Sequence, residues 1–166
     1  GYLQRKGVLE ADALYSDAYY EELAKEHQED YEQFVDIIAK LYDPVSVVDF
    51  GCGPSKMIED FFSRGTDVLG LDIKRTGFDD TKLPETCFRK QDLTQEVSVG
   101  RYDLALCIEV LEHIPEENAR EIIASLCNAS NLIIVTAARP HQGGTHHFNE
   151  KPPVYWQSLF KEHGFK

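Results

Sequence analysis

Short apolar runs alternate with amphipathic stretches along most of the chain. Val45 to Phe50 is almost unbroken in apolar and β-branched residues, the composition of a strand covered on both faces, as in a parallel sheet. Asp67 to Asp72, Thr86 to Lys90, Tyr102 to Ile108 and Leu132 to Ala137 read as further strands on the same ground. Met57, Ile58, Phe61 and Phe62 recur at helical spacing before an Arg64-Gly65 stop, and Pro115-Glu116-Glu117 opens a helix whose buried stripe is Ala119, Ile122, Ile123 and Leu126. Two helices are expected between Glu10 and Tyr42, the second carrying Tyr31, Phe34, Val35, Ile38 and Leu41 on one side. Asp43-Pro44 ends it, because proline pushes the residue before it out of the α region. Trp156, Leu159 and Phe160 form the stripe of a last helix. Strands alternating with helices predict an α/β fold with a mostly parallel sheet of about five strands. The segments Ile73 to Glu85 and Gln91 to Arg101 lack helical periodicity, so these connections are expected to cross without a helix.

The 166 residues suffice for one domain, read as an N-terminal helical segment, 1–44, packed on a main body, 45–166. Hydrophobic residues at 42% and charged residues at 28% exclude a mainly disordered or coiled-coil chain. The formal charge of −12 repels phosphate backbones and anionic membranes, which argues against a nucleic-acid partner. No apolar run approaches the roughly 18 residues of a membrane span. The four cysteines, Cys52, Cys87, Cys107 and Cys127, form no CxxC pair and read as reduced core thiols of a cytoplasmic protein. The chain starts at Gly1 and ends after His163-Gly164-Phe165-Lys166, which reads as an excised or processed segment.

Candidate chemistry begins at Val47-Val48-Asp49-Phe50-Gly51-Cys52-Gly53-Pro54-Ser55, a buried strand entering a glycine turn and then a helix. Glycines let a backbone approach a ligand closely, and a helix start offers free N–H groups. Nineteen residues after Gly53, Val68-Leu69-Gly70-Leu71 ends in Asp72, where a doubly wound fold places an acid on a nucleotide ribose. A ribose diol donates two hydrogen bonds and a carboxylate accepts both. The alternative is a tight turn beside an ordinary surface acid. A dinucleotide fingerprint requires a third glycine where Lys56 stands, which demotes NAD.

The pattern resembles the class I S-adenosylmethionine-dependent methyltransferases, over about Ser46 to Phe165. Asp49-Phe50-Gly51-Cys52-Gly53 matches their first motif, Gln91-Asp92-Leu93 their adenine-edge segment, and Tyr102 to Ile114 their fourth strand with the motif after it. The resemblance implies a Rossmann-like three-layer sandwich of strand order 3-2-1-4-5, without the last strands of the family. It further implies that Gly51 and Gly53 back the methionine part of the cofactor, with Cys52 between them in the binding loop and Asp49 organising that loop. Asp72 would hold the ribose, Asp92 would accept from the exocyclic amine, and Ile73, Leu93 and Glu109 would complete the cofactor-binding set. Ser55 stands where many members have another glycine.

The activity so implied is methyl transfer to an oxygen or nitrogen of a small-molecule acceptor. His113, His141, His146 and His147 are the candidate bases. His147 and Asn149 resemble a Gly-His-x-Asn segment followed by Pro-Pro-x-Tyr-Trp in bacterial small-molecule methyltransferases, which makes His147 the acceptor-side residue, with His113 second. An alternative uses Glu109, Glu112 and His113 on one helical face, joined by His146 or His147, as a divalent metal site. Glu-x-x-Glu-His is similar to the metal motif of enzymes that methylate the terminal 2′-hydroxyl of small RNAs and of some ubiquinone-pathway O-methyltransferases. A further alternative is a non-catalytic cofactor-binding domain of a larger assembly, meeting a partner or a second copy at the unfinished sheet edge. Tyr15, Tyr19 and Tyr20 read as core residues or as a lid over the cofactor.

Overall fold

The computed structural model describes residues 28–75 and 83–166. Helix α1 (Gln28–Tyr42) precedes β1 (Ser46–Phe50), α2 (Lys56–Ser63) and β2 (Asp67–Asp72). Then come β3 (Phe88–Lys90), β4 (Leu104–Ile108), α3 (Ala119–Ala129), β5 (Ile133–Thr136) and α4 (Pro153–Glu162). The first expected helix and Tyr15, Tyr19 and Tyr20 lie outside the described residues. All strand pairs are parallel, and the sheet runs β3-β2-β1-β4-β5, the order expected.

Successive strand residues point to opposite faces, and the two cores follow from that alternation. Val47, Val68, Leu104 and Leu106 face α1 and α2, where Val35, Ile38, Ile58 and Phe61 meet them. Their neighbours Val48, Leu71, Ala105 and Cys107 face the other way, onto Ile122, Ile123 and Leu126 of α3 and onto Trp156 and Leu159 of α4. Strands buried on both faces are why the sequence reads as continuous apolar runs there rather than as alternation.

Two local details differ from expectation. The run from Thr86 pairs only from Phe88, because Glu85–Cys87 is a 3-10 turn after Pro84. The proline-led start of α3 is likewise a 3-10 turn, Glu116–Asn118, and the α-helix begins at Ala119. The segment 91–101 crosses without helix; Leu93 and Val97 anchor it in the α3-side core, and the Val97 N–H donates to Ser125 Oγ at 3.1 Å. All four cysteines are buried and unbridged. No described helix is long and apolar enough to cross a membrane. Because the strands are parallel, the loops after β1, β2, β4 and β5 gather along one edge, where open α/β sheets hold ligands.

Candidate functional site

The turn after β1 is bound to the end of β2. The N–H groups of Gly51 and Cys52 both donate to the Leu71 carbonyl, at 2.8 and 3.0 Å, and the Gly53 N–H donates to Asp72 Oδ2 at 2.8 Å. The carboxylate that holds this loop by a hydrogen bond is Asp72; Asp49, expected to organise it, makes none with the described residues. Gly51 has φ +86°, and a Cβ there would lie 2.4 Å from Val110 Cγ2. Its glycine is required by conformation and by packing against the β4 loop together. Ser55 caps α2 in the left-handed region at φ 63°, with no side-chain capping bond. That backbone explains why a glycine suits this position.

Asp49 is fully buried, and among the described residues neither of its carboxylate oxygens has a hydrogen-bond partner. Burial, helped by the charge of Asp72, pushes its pKa up to about 7. Asp72 is 7% exposed. Burial raises its pKa, while N–H groups from Gly53, Lys74 and Ile73 pull in the opposite direction. Two buried carboxyls beside a glycine loop favour a cation and repel the pyrophosphate of a dinucleotide. S-adenosylmethionine carries an ammonium, a sulfonium and a ribose diol, and this donor set fits it: loop backbone at Gly51 and Gly53, an unpartnered acid at Asp49, and a second acid at Asp72.

The remaining residues expected to meet the cofactor line the same edge. Asp92 Oδ1 accepts from the Thr94 N–H and hydroxyl, at 2.9 and 2.7 Å, which fixes the turn after β3. Leu93 is a core residue of that turn. Ile73 follows β2 directly and is half-buried. Glu109 follows β4 with φ 53°, and its N–H donates to Thr136 Oγ1 at 3.0 Å and to the Thr136 carbonyl at 3.2 Å.

The β4 and β5 loops bring Glu112, His113 and His147 together, with one ligating atom of each within 4.8 Å of the others. His113 and His147 meet edge to face at 4.9 Å. The helical face expected to unite Glu109 with Glu112 and His113 does not form. Glu109 adopts the left-handed conformation, and the turn that follows is a 3-10 turn confined to Leu111–His113. Glu109 nonetheless lies against the fully buried Glu112, whose pKa is raised to about 7 by burial first and by Glu109 second. Burial lowers the pKa of His113, which keeps its imidazole neutral near pH 7. Of the two histidines proposed to join the cluster, His147 does so through its side chain. His146 instead presents its carbonyl to His113 Nδ1 at 3.1 Å.

Several supporting groups left no signal in the sequence. Glu150 accepts from the His141 N–H at 2.8 Å and the Gly143 N–H at 2.7 Å, and lies 3.3 Å from His147 Nδ1. Burial pushes its carboxyl up, but these partners together bring it below the usual range. Glu112 accepts at its carbonyl from the N–H groups of Phe148 and Asn149, at 2.9 and 3.0 Å, and at Oε1 from the Ala138 N–H at 3.1 Å. A Cβ at Gly144 would fall 2.3 Å from the His147 ring. Such partners depend on loop geometry, and only the Gly143-Gly144 pair hinted at it.

The family described as "Methyltransferase domain" matches residues 23–166. A ubiquinone biosynthesis O-methyltransferase of Acinetobacter baylyi is 32% identical over 80 residues, covering 42% of this chain and 33% of that protein; the chain thus spans about a third of the curated relative's length. Among solved structures, magnesium protoporphyrin IX methyltransferase from Synechocystis with bound S-adenosylmethionine has TM-score 0.66 and 22% identity, over 87% of this chain and 71% of that one. Human N-acetylserotonin methyltransferase in complex with the same cofactor has TM-score 0.66 and 15% identity, over 94% and 54%. The glycine loop tied to a second-strand acid, the strand order and the family match lead to one assignment: the chain belongs to the S-adenosylmethionine-dependent methyltransferase family, with its Rossmann-like fold.

Proposed function

We propose that the chain binds S-adenosylmethionine between the Gly51–Gly53 loop and Asp72 and serves its transfer of a methyl group to an oxygen or nitrogen of a small-molecule acceptor. The observation that carries this reading is the hydrogen bond from Gly53 to Asp72 beside the unpartnered Asp49. It draws loop, ribose acid and cation-seeking acid into one site. The name of the O-methyltransferase relative favours oxygen as the acceptor atom, and the −12 charge favours a small molecule over RNA.

When bound, the cofactor supplies an already activated methyl group, so the protein's task is chiefly alignment of acceptor and methyl carbon. His147, set by Glu150 through Nδ1, is the acceptor-side residue. His113, kept neutral by burial, is able to take a proton from an acceptor hydroxyl or amine. Calorimetry with S-adenosylmethionine and with NAD tests the cofactor; tighter binding of NAD would overturn the reading. Asp72→Ala is expected to weaken S-adenosylmethionine binding by about 1–3 kcal/mol through lost charge-assisted hydrogen bonds. An unchanged dissociation constant would remove the ribose role.

A second reading, a divalent metal that orients the acceptor, draws on the Glu112–His113–His147 cluster. One atom of each residue is already anchored, to Ala138, His146 and Glu150 respectively, as supported metal ligands commonly are. Elemental analysis after incubation with Mg²⁺, Mn²⁺ or Zn²⁺ decides it. The absence of bound metal, or binding that survives His147→Ala, would exclude it.

A further inference from the structure

Asp49 occupies an apolar slot on the α2 face of the sheet. Its partners in register are Gly70 on β2 and Leu106 on β4. Gly70 leaves no side chain beside it: the space that a Cβ would take is held by Ile58 Cδ1 and Cys52 Sγ, at 2.5 and 2.7 Å. The titratable groups whose fields meet Asp49 are Asp72 on β2, Cys52 in the loop and Cys107 on β4. Burial drives both thiols well above their ordinary range, so they stay neutral and supply no counter-charge. Asp72 adds a like charge. Among the described residues no cation acts on Asp49, and both of its oxygens lack hydrogen-bond partners. A fully buried carboxylate in that setting takes up a proton unless something positive arrives.

We propose, resting on the cofactor reading above, that Asp49 is a proton-exchanging counter-ion: protonated in the cofactor-free protein, it releases its proton to solvent as the cationic part of the cofactor binds. The step balances as a neutral carboxylic acid and a bound cation becoming an ion pair and one solvated proton. The slot then acts as a charge filter that admits cationic ligands and disfavours anionic nucleotides. Burial, which pushes the Asp49 pKa up to about 7, places the exchange near neutral pH.

The test is calorimetry of the full chain with S-adenosylhomocysteine, which keeps the ammonium and does not turn over. It is run in two buffers of different ionisation enthalpy from pH 5.5 to 7.5. Proton release that is near complete at pH 6 and falls as pH rises past 7 is expected, with affinity tightening as pH rises by up to about tenfold per unit below 7. Asp49→Asn, close in shape to the protonated acid, should bind with no such release and a flat pH profile. Carbon NMR of the labelled Asp49 carboxyl in the wild-type protein should show the ionisation directly, so the idea stands or falls even if the variant misfolds. Binding without proton release at pH 6, or release that persists in Asp49→Asn, overturns the exchange and leaves the cofactor assignment intact. No binding at any pH overturns the cofactor reading itself.

Discussion

Ser55 and Asp49 each hold a conformation or a charge that their surroundings resist. A left-handed non-glycine residue costs roughly 1–2 kcal/mol, and the Ser55 hydroxyl recovers little, since its contacts with Cys52 Sγ and the Gly53 carbonyl are both 3.5 Å long. Ser55→Gly is therefore expected to stabilise the protein by about 0.5–1 kcal/mol, after allowing for the added freedom of glycine in the unfolded chain. Urea unfolding checks it, and a loss above about 1 kcal/mol would show that the hydroxyl matters more than the backbone. For Asp49 the sign follows from linkage: its folded pKa of about 7 lies above the ordinary value of 3.8. Stability contributed in the protonated state is thus lost as pH rises toward and through 7. Asp49→Asn abolishes that loss, so its advantage over the wild type should grow by about 2–3 kcal/mol between pH 5 and pH 8. An advantage that does not change with pH would mean that the carboxyl is ionised throughout. The sequence marked Asp49 by its place in the motif, but its isolation depends on Gly70 leaving room for Ile58 and Cys52, a three-body packing fact that no spacing records.

At the scale of elements, the glycine loop and the acceptor cluster are mechanically joined. Gly51 packs on Val110, one residue before the Leu111–His113 turn that carries Glu112 and His113. Gly51→Ala combines a forbidden φ with a clash and should cost at least about 2 kcal/mol. Adding Val110→Ala relieves only the clash, so partial recovery in the double variant is expected, and none at all would show that the backbone strain dominates. The β5–α4 loop depends on Glu150 in a similar way. Glu150→Ala frees the His141 and Gly143 N–H groups, and hydrogen exchange across 139–149 should rise by at least tenfold while S-adenosylmethionine affinity stays within about twofold. Unchanged exchange would mean that Glu112, through Phe148 and Asn149, holds the loop unaided. Strands and helices were legible because burial on both faces writes itself into composition. The loops were not, because a carboxylate reaching back seven or nine residues to a backbone N–H leaves no periodic trace. The Glu109 conformation illustrates the same limit: helical spacing placed it with Glu112 and His113, yet its positive φ breaks that face.

For the molecule as a whole, the two acids with pKa values near 7, Asp49 and Glu112, lie on either side of β4, one by each half of the site. His113 acts in the opposite direction. Its lowered pKa means that the unfolded chain binds its proton first, which erodes stability as pH falls below about 6.5. Above that value only the carboxyls remain, and each loses its contribution as pH climbs through 7. The surplus of 29 Asp and Glu over 17 Lys and Arg grows slightly more repulsive in the same interval. Together these terms predict that the cofactor-free chain loses about 2 kcal/mol between pH 6 and pH 8, a fall in Tm of several degrees for a domain of this size. A saturating cationic cofactor should remove the Asp49 share of that fall and leave the Glu112 share, so the Tm of the complex should decline about half as steeply. A fall of equal slope with and without cofactor would place the titrating groups outside the glycine loop. A rise in Tm over the same range would mean that both buried acids find counter-charges in the folded chain.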